Sequence, residues 1–336
     1  MMQSTTTPPC DESIPVLDLG PCFRGEAGAL EAAAAQLRAA CETVGFHFIA
    51  NHGVPQALVD RVFAEAKRFH DLPLETKLEL KANRNQVGYM PYKTSVFRAS
   101  RYYDGDEPDL NAALFLKRDL ASDHPDVLAG KRFRGTNLWP ETLPGFRETL
   151  REYMSQMEAL ALKMLPIYAI ALDLPPDYFD QAFEDPMYTV RLSHYPPVKD
   201  AAENQFGIAP HSDSSFFTLL AQNKVPGLSI QTSDGVWVEA PALEGTFLVN
   251  SGDMLHRWTN ERFLSTPHRA FNASGGDRYA IPFFFDCNID HEIACLPSCQ
   301  GPDNPPKYPP TTYLKHMDWF TGQIYDHMNE GEARGD

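Results

Sequence analysis

The sequence lacks the features of a membrane, secreted or nucleic-acid-binding protein. No apolar run is long enough to cross a bilayer, and the N-terminus has no basic segment followed by an apolar one. Basic residues are also scarce, because 29 Lys and Arg stand against 45 Asp and Glu and give a formal net charge of −16. Phosphate groups are bound mainly by Lys and Arg, so neither nucleic acid nor an anionic membrane is an expected partner. We therefore expect a soluble, cytoplasmic protein that acts on a small molecule, with its oligomeric state left open.

The cysteines do not form the pattern of a disulfide-rich protein. The chain has 6 of them in 336 residues, and they are scattered along it. Cys295 and Cys299 are close enough to form half of a zinc site, but no second pair answers them. We interpret these two residues as reduced thiols in a loop.

The local patterns predict helices in the first half of the chain and short strands in the second. Apolar residues recur at helical spacing over 27–44, after Pro55 and over 144–174, where Pro166 is expected to kink the helix. Short runs rich in β-branched and aromatic residues are separated by turn residues after Tyr188, which is typical of a double-sheet jelly roll. The stretch 83–111 is predicted to be a long irregular segment. The predicted strands are 14–19, 46–50, 216–221, 228–232, 236–240, 246–249 and 279–286, followed by a helix over 311–329.

Two histidines and an aspartate form the most informative motif. His211 and Asp213 are two residues apart, and they share a face if 210–220 is one strand. His268 lies in a second strand-like run, and Arg278 follows ten residues later at the head of an apolar run. Two imidazoles and one carboxylate are the ligands of the facial triad, which holds ferrous iron and leaves sites open. An arginine nearby can fork two hydrogen bonds onto a carboxylate, so the set predicts a metal that binds a bidentate acid.

With these motifs the chain resembles the iron(II)- and 2-oxoglutarate-dependent dioxygenases of the isopenicillin N synthase-like family. The similarity runs from about Ile14 to about Tyr313 and includes Asn-His-Gly-Val-Pro at 51–55, Arg-Leu-Ser-His-Tyr-Pro-Pro at 191–197 and Asn-Ser-Gly-Asp at 250–253. The resemblance implies a mixed α and β fold, in which a double-stranded β-helix (jelly roll) core is flanked by helices and preceded by a helix-rich N-terminal region.

The resemblance also implies the site and the reaction. His211, Asp213 and His268 would bind Fe(2+), while Arg278 and Tyr195 would hold the remote carboxylate of 2-oxoglutarate. Dioxygen is the second co-substrate. The implied activity couples the oxidative decarboxylation of 2-oxoglutarate to the hydroxylation, desaturation or cyclisation of a small molecule.

The same resemblance suggests how the chain is divided. The predicted parts are a mobile lead at 1–13, an N-terminal dioxygenase region at 14–130, a helical packing segment at 131–187, a jelly-roll iron and 2-oxoglutarate core at 188–290, and a C-terminal loop and helix at 291–336.

Two residues depart from the family pattern. Ala280 stands where the family usually has a serine two residues after the arginine, and Ser193 stands where many plant relatives have asparagine. The missing hydroxyl leaves open an oxidase of the same fold that uses no 2-oxo acid and holds the carboxylate of its substrate with Arg278. A third hypothesis is a non-catalytic protein that binds a metal or a small molecule.

The substrate itself is not predicted, but residues that could contact it are. Phe283 and Phe285 share one face of the last strand, and Phe284 takes the other face. We expect His52, His194 and His256 to lie outside the metal site. The candidate substrate residues are Phe97, Arg98, Arg101, Tyr102, Asn111, Phe283 and Phe285.

Overall fold

The computed structural model describes residues 14–96, 102–103, 105, 107–198, 202 and 204–324. The predicted mobile lead at 1–13 lies outside these residues. The strands are β1 (Val16–Asp18), β2 (Phe46–Ala50), β3 (Gly88–Met90), β4 (Ala112–Lys117), β5 (Met187–Tyr195), β6 (Ile208–His211), β7 (Phe217–Gln222), β8 (Leu228–Gln231), β9 (Trp237–Glu239), β10 (Thr246–Ser251), β11 (His268–Ala270), β12 (Arg278–Asp286), β13 (Glu292–Ile293) and β14 (Thr311–Thr312). The helices are α1 (Gly20–Phe23), α2 (Ala29–Thr43), α3 (Gln56–His70), α4 (Leu74–Leu78), α5 (Pro125–Leu128), α6 (Phe146–Ala171), α7 (Asp253–Trp258) and α8 (Tyr313–Ile324), with a 3-10 turn at Pro297–Cys299.

Two facing sheets form the centre of the molecule. The larger sheet has the strand order β1-β2-β10-β7-β12-β5-β4-β3, and the smaller has the order β6-β11-β8-β9. The pairing of β1 with β2 is parallel, and the pairings along the rest of both sheets are antiparallel. An apolar cluster with members such as Phe48 and Leu248 from the large sheet and Ile230 from the small one joins the two inner faces. This is the jelly roll with flanking helices that the sequence predicted.

The main hydrophobic core lies between the large sheet and the helices. The long helix α6 buries Leu150, Met154 and Met157 among residues of α2, α3 and the sheet. These apolar positions recur at helical spacing, as the sequence predicted. The helix continues through Pro166 to Ala171. No helix in the described part of the chain is long and apolar enough to cross a membrane.

Two elements differ from the prediction. The expected strand over 210–220 is interrupted, because β6 ends at His211 in the small sheet and β7 begins at Phe217 in the large one. The intervening Ser-Asp-Ser-Ser sequence offers side-chain hydrogen bonds that compete with a strand ladder. The stretch 83–111, expected to be irregular, contains β3, and β4 follows it directly. Strand β4 is buried along its whole length, so it lacks the alternation that marks a half-buried strand.

Candidate metal and co-substrate site

The three predicted metal ligands meet where the chain crosses between the two sheets. His211 ends β6 and lies directly opposite His268 of β11, with their ring centroids 4.3 Å apart. Asp213 sits in the crossing segment, and its Oδ1 lies 3.7 Å from Nε2 of His211 and 3.5 Å from Nε2 of His268. All three side chains are buried, and one donor atom from each lies within 4.8 Å of the others. The strand pairing therefore brings together two donors that are 57 residues apart in the sequence.

Backbone carbonyls fix which nitrogen each imidazole presents. Nδ1 of His211 lies 2.7 Å from the carbonyl oxygen of Ala209, and Nδ1 of His268 lies 3.2 Å from that of Thr266. A carbonyl oxygen only accepts, so each Nδ1 must be the protonated donor. The lone pair of each Nε2 is then directed at the centre of the cluster, which is the arrangement that metal-binding histidines adopt.

The carboxylate of Asp213 is oriented by two further side chains. Its Oδ2 accepts hydrogen bonds from Oγ1 of Thr218 at 2.6 Å and from Nδ2 of Asn250 at 2.8 Å. Thr218 and Asn250 lie directly opposite each other on β7 and β10 and therefore project from the same face of the sheet. Oδ1 is left facing the two imidazoles. Neither residue was predicted from the sequence as part of the site, although Asn250 begins the Asn-Ser-Gly-Asp motif.

A glycine allows the crossing segment to pack closely. A Cβ atom at Gly252 would lie only 2.1 Å from the carbonyl oxygen of Ser215 and 2.9 Å from that of Asp213. The amide of Asp253 donates to the same Asp213 carbonyl at 2.7 Å. The segment 250–253 thus holds both the backbone and the carboxylate of Asp213.

The electrostatics of the cluster favour a cation at its centre. Burial, together with the neighbouring His268, lowers the pKa of His211 to about 3. Burial alone would raise the pKa of Asp213, but the adjacent His268 and the other partners hold it below its usual range. Burial likewise opposes protonation of His268, yet the charge and hydrogen bonding of Asp213 raise its pKa. Two imidazoles that can bind in their neutral form, together with a carboxylate that stays ionised, are a donor set that fits a divalent metal such as iron(II).

Arg278 supplies a buried guanidinium with unused donors beside this cluster. It begins β12, is 1% exposed, and its guanidinium carbon lies 4.9 Å from the centroid of the Tyr195 ring directly opposite on β5. Nη2 donates to Oε1 of Gln222 at 3.0 Å, while Nε and Nη1 have no hydrogen-bond partner among the described residues. Burial lowers the pKa of Arg278. Because buried unpaired donors are costly, this geometry fits an anion that accepts from the two free nitrogens.

The position of the missing hydroxyl is flanked by two polar residues. Ala280 lies directly opposite Ser193 of β5 on one side and Gln222 of β7 on the other. The hydroxyl of Ser193 is buried and has no hydrogen-bond partner in the described part of the chain. A free hydroxyl therefore lies one strand away from the alanine.

Two adjoining cavities meet at the metal cluster. The first encloses about 490 Å³ of empty space and is lined by the three metal donors with Arg278 and Tyr195. The second encloses about 550 Å³ and reaches from His211 and Asp213 towards α8. Both volumes include the space that opens to solvent.

None of the predicted substrate residues that the structure describes is among the lining residues of these cavities. Phe283 and Phe285 are fully buried in the main core, so the expectation that they line the pocket is corrected. The inner face of β12 instead carries Phe284, which lines both cavities. Asn111 is buried and bonded to Gly207 and Arg191, and Tyr102 is exposed. The remaining candidates, Phe97, Arg98 and Arg101, lie outside the described residues.

The histidines that the sequence analysis set aside lie elsewhere. His194 stacks on Tyr279 and bonds to Asp277 on the far face of β5. Nδ1 of His52 accepts from the amide of Val54 in a turn. His256 donates to the carbonyl oxygen of Phe263.

Comparisons with known proteins match both halves of the chain. Residues 14–142 match the family described as non-haem dioxygenase in morphine synthesis N-terminal, and residues 186–286 match the 2OG-Fe(II) oxygenase superfamily. The 2-oxoglutarate-Fe(II) type oxidoreductase hxnY of Emericella nidulans is 37% identical over 89% of this chain and 86% of its own. Clavatol oxidase claD of Penicillium crustosum is 34% identical over 87% of this chain and 90% of its own. The solved structure of Neurospora crassa T7H in complex with alpha-KG and thymine superimposes with a TM-score of 0.80 at 25% identity, covering 92% of this chain and 96% of that one.

Proposed function

This chain belongs to the 2-oxoglutarate and iron(II) oxygenase superfamily, and we propose that His211, Asp213 and His268 hold its iron while Arg278 and Tyr195 hold its 2-oxoglutarate. The protein is a non-haem dioxygenase that requires Fe(2+), 2-oxoglutarate and dioxygen and oxidises a small molecule. The cytoplasmic location and the five-part division of the chain stay predictions.

The donor geometry supports the assignment of the metal ligands. Each imidazole presents Nε2 and the carboxylate presents Oδ1, and the remaining polar atoms of all three side chains are engaged by Ala209, Thr266, Thr218 and Asn250. Three protein donors leave about three positions open on a metal that prefers six. When bound, the iron supplies the dioxygen chemistry that couples the decarboxylation of 2-oxoglutarate to oxidation of the substrate.

The two free nitrogens of Arg278, in the same cavity as the three donors, are the observation that carries the co-substrate proposal. Their unpaired N–H groups leave the guanidinium able to donate to the remote carboxylate of 2-oxoglutarate, which would direct the keto end towards the metal donors. The Tyr195 ring supports the flat side of the guanidinium, and Gln222 fixes its third nitrogen. We assign to Ser193 the hydroxyl that Ala280 cannot supply.

The membership in this superfamily favours 2-oxoglutarate dependence over the two alternatives. In the oxidase alternative, Arg278 would bind the carboxylate of the substrate. In the non-catalytic alternative, three converging donors with an open face would have no purpose.

The test is anaerobic titration of 2-oxoglutarate into the iron(II) form, followed by succinate measurement after air is admitted. The wild type should develop the visible charge-transfer band of a chelated 2-oxo acid and form succinate slowly without added substrate. Arg278→Ala should weaken 2-oxoglutarate binding about a hundredfold or more, because the cation and its charge-assisted hydrogen bonding are lost. Arg151→Ala, a change at an arginine whose side chain is 57% exposed, should leave the titration unchanged. Equal affinity in the wild type and Arg278→Ala would overturn the assignment of Arg278.

A further inference from the structure

A second buried arginine lies on the metal side of the large sheet. Arg191 of β5 is 7% exposed, and its Nη2 donates to Oδ1 of Asn111 at 2.6 Å. Its guanidinium carbon lies 5.2 Å from the centroid of the Phe115 ring. Within the described ranges, which leave out 97–101, 104, 106, 199–201 and 203, Nε has no hydrogen-bond partner and no carboxylate forms a salt bridge with this side chain. Its hydrogen-bond partner is a neutral amide, and it acts on the Asp109 carboxylate only through their charges. A buried cation held in this way is costly unless an anion completes it.

Arg191 lies between the two cavities. It lines both of them together with Ile208, Phe284 and the metal donors His211 and Asp213, whereas Arg278 lines only the first. An anion in the second cavity would therefore have a cationic partner of its own, separate from the proposed co-substrate clamp.

The second cavity also has an apolar and aromatic part beside polar residues such as Gln86, Thr189 and Ser214. Phe115, Phe284, Tyr313, Met317 and Phe320 contribute to its wall. Aromatic and thioether side chains pack well on a flat, unsaturated ring. The cavity thus combines one cation near the metal donors with faces for a planar apolar body.

Two acids nearby are already engaged. Asp109 accepts from the amide of Ala209 and from Oγ of Ser95. Asp286 lines the second cavity, but its oxygens accept from the amide of Phe216 and the hydroxyl of Tyr313. Burial raises the pKa of Asp286 to about 7, so in the neutral to mildly acidic range it repels an anion less than an exposed carboxylate would.

We propose that the substrate is a small aromatic carboxylic acid whose carboxylate binds Arg191 and whose ring packs against Phe284. This inference rests on the proposed function, because the second cavity is a substrate site only if the first holds 2-oxoglutarate. The two arginines then separate the two acids, with 2-oxoglutarate on Arg278 and the substrate on Arg191.

The experiment compares matched pairs of aromatic acids and their amides. Benzoate with benzamide, cinnamate with cinnamamide, and 1-naphthoate with 1-naphthamide are titrated calorimetrically into the anaerobic enzyme loaded with iron(II) and 2-oxoglutarate. In the wild type the better acid should bind about ten- to a hundredfold more tightly than its amide, as expected for a charge-assisted pair. Arg191→Gln should bring this ratio close to one while the dissociation constant of 2-oxoglutarate changes less than about twofold. Arg151→Gln is the surface control and should keep the wild-type ratio.

Several results would overturn the inference. In the wild type, such a result would be no preference for the acid over its amide, or no binding by any pair. In Arg191→Gln, it would be an unchanged preference for the acid or a loss of 2-oxoglutarate affinity. If Arg191→Gln does not fold, Arg191→Lys decides, because lysine lacks the planar fork and should lower the acid preference several-fold. An unchanged preference in Arg191→Lys would then count against the proposal. Absence of the charge-transfer band in the wild type would instead show that the proposed function has failed.

Discussion

The proposed metal cluster of His211, Asp213 and His268 and the Arg278 site beside it are built in opposite ways. Around the cluster, each side chain keeps one donor atom for the centre because its other polar atoms are bonded to protein groups. Around Arg278, one nitrogen is bonded and two are free. A metal needs a few atoms at fixed angles, whereas a flexible acid needs several donors that remain available. We therefore expect substitutions around the cluster to act by changing the geometry of its donor atoms. We expect substitutions around Arg278 to act by changing the number of hydrogen bonds available to the bound acid.

The largest effect is expected from removing the shared carboxylate. Asp213→Ala should abolish iron binding and lower turnover well over a hundredfold, since even outer contacts of metal ligands are worth about ten- to a hundredfold. The fold should remain, because the amide of Asp253 also donates to the backbone carbonyl of Asp213. Iron content and circular dichroism measure the two effects. The control is Asp234→Ala, a substitution at an exposed turn residue. Full iron occupancy in Asp213→Ala would show that the ligand assignment is wrong.

A second comparison involves two buried carboxylates with opposite electrostatics. Asp213 faces two imidazoles and has a lowered pKa, whereas burial raises the pKa of Asp286 to about 7. A raised folded pKa stabilises the protein below the unfolded value of about 3.9, and this stabilisation is lost as the pH rises towards 7. The free energy of unfolding should therefore fall by roughly 2–4 kcal/mol between pH 4 and pH 7 through this group.

Urea unfolding across this pH range measures the loss. Asp286→Asn keeps a neutral group on Phe216 and Tyr313 and should remove that part of the pH dependence. Asp303→Asn changes an exposed aspartate and should leave the dependence as it is. The same slope in the wild type and Asp286→Asn would contradict the assigned electrostatics.

A smaller effect is expected one contact away from the metal. Asn250→Ala removes the Nδ2 donor from Oδ2 of Asp213 and should weaken iron binding about ten- to a hundredfold while leaving 2-oxoglutarate affinity at saturating iron almost unchanged. Thr246→Val is the matched control, since Thr246 is on the same strand and its hydroxyl donates to the carbonyl oxygen of Leu243. Iron titration compares the two variants, and equal affinities would mean that Asp213 needs no such support.

The sequence identified residues that act by chemical type better than residues that act by position. His211, Asp213, His268 and Arg278 stand in recognisable motifs, and the structure brings them together. Thr218 supports the cluster through its position in β7, directly opposite Asn250 of β10. That position is set by the register between strands that are distant in sequence.

Residues on the cavity walls were harder to predict for the same reason. Alternation along β12 correctly separated Phe284 from Phe283 and Phe285, but alternation does not say which face meets the core. The side was decided by α6 and its neighbours, which cover the face carrying Phe283 and Phe285. No pattern in the sequence separates Arg191 from other strand residues, and its place on the cavity wall is set by the tertiary fold.

The smallest effect is expected from moving one hydroxyl across the sheet. Ser193→Ala should weaken 2-oxoglutarate binding about two- to tenfold, the contribution of one neutral hydrogen bond. The double variant Ser193→Ala with Ala280→Ser places a hydroxyl on the directly opposite residue and should restore the affinity, because paired residues of antiparallel strands project from the same face. Anaerobic titration of the charge-transfer band measures both, and iron affinity should stay constant throughout. Loss without restoration would mean that the hydroxyl acts from β5 alone, and no loss in Ser193→Ala would remove Ser193 from the co-substrate site. Restoration would show that Arg278 responds to how many donors surround the carboxylate rather than to which strand supplies them.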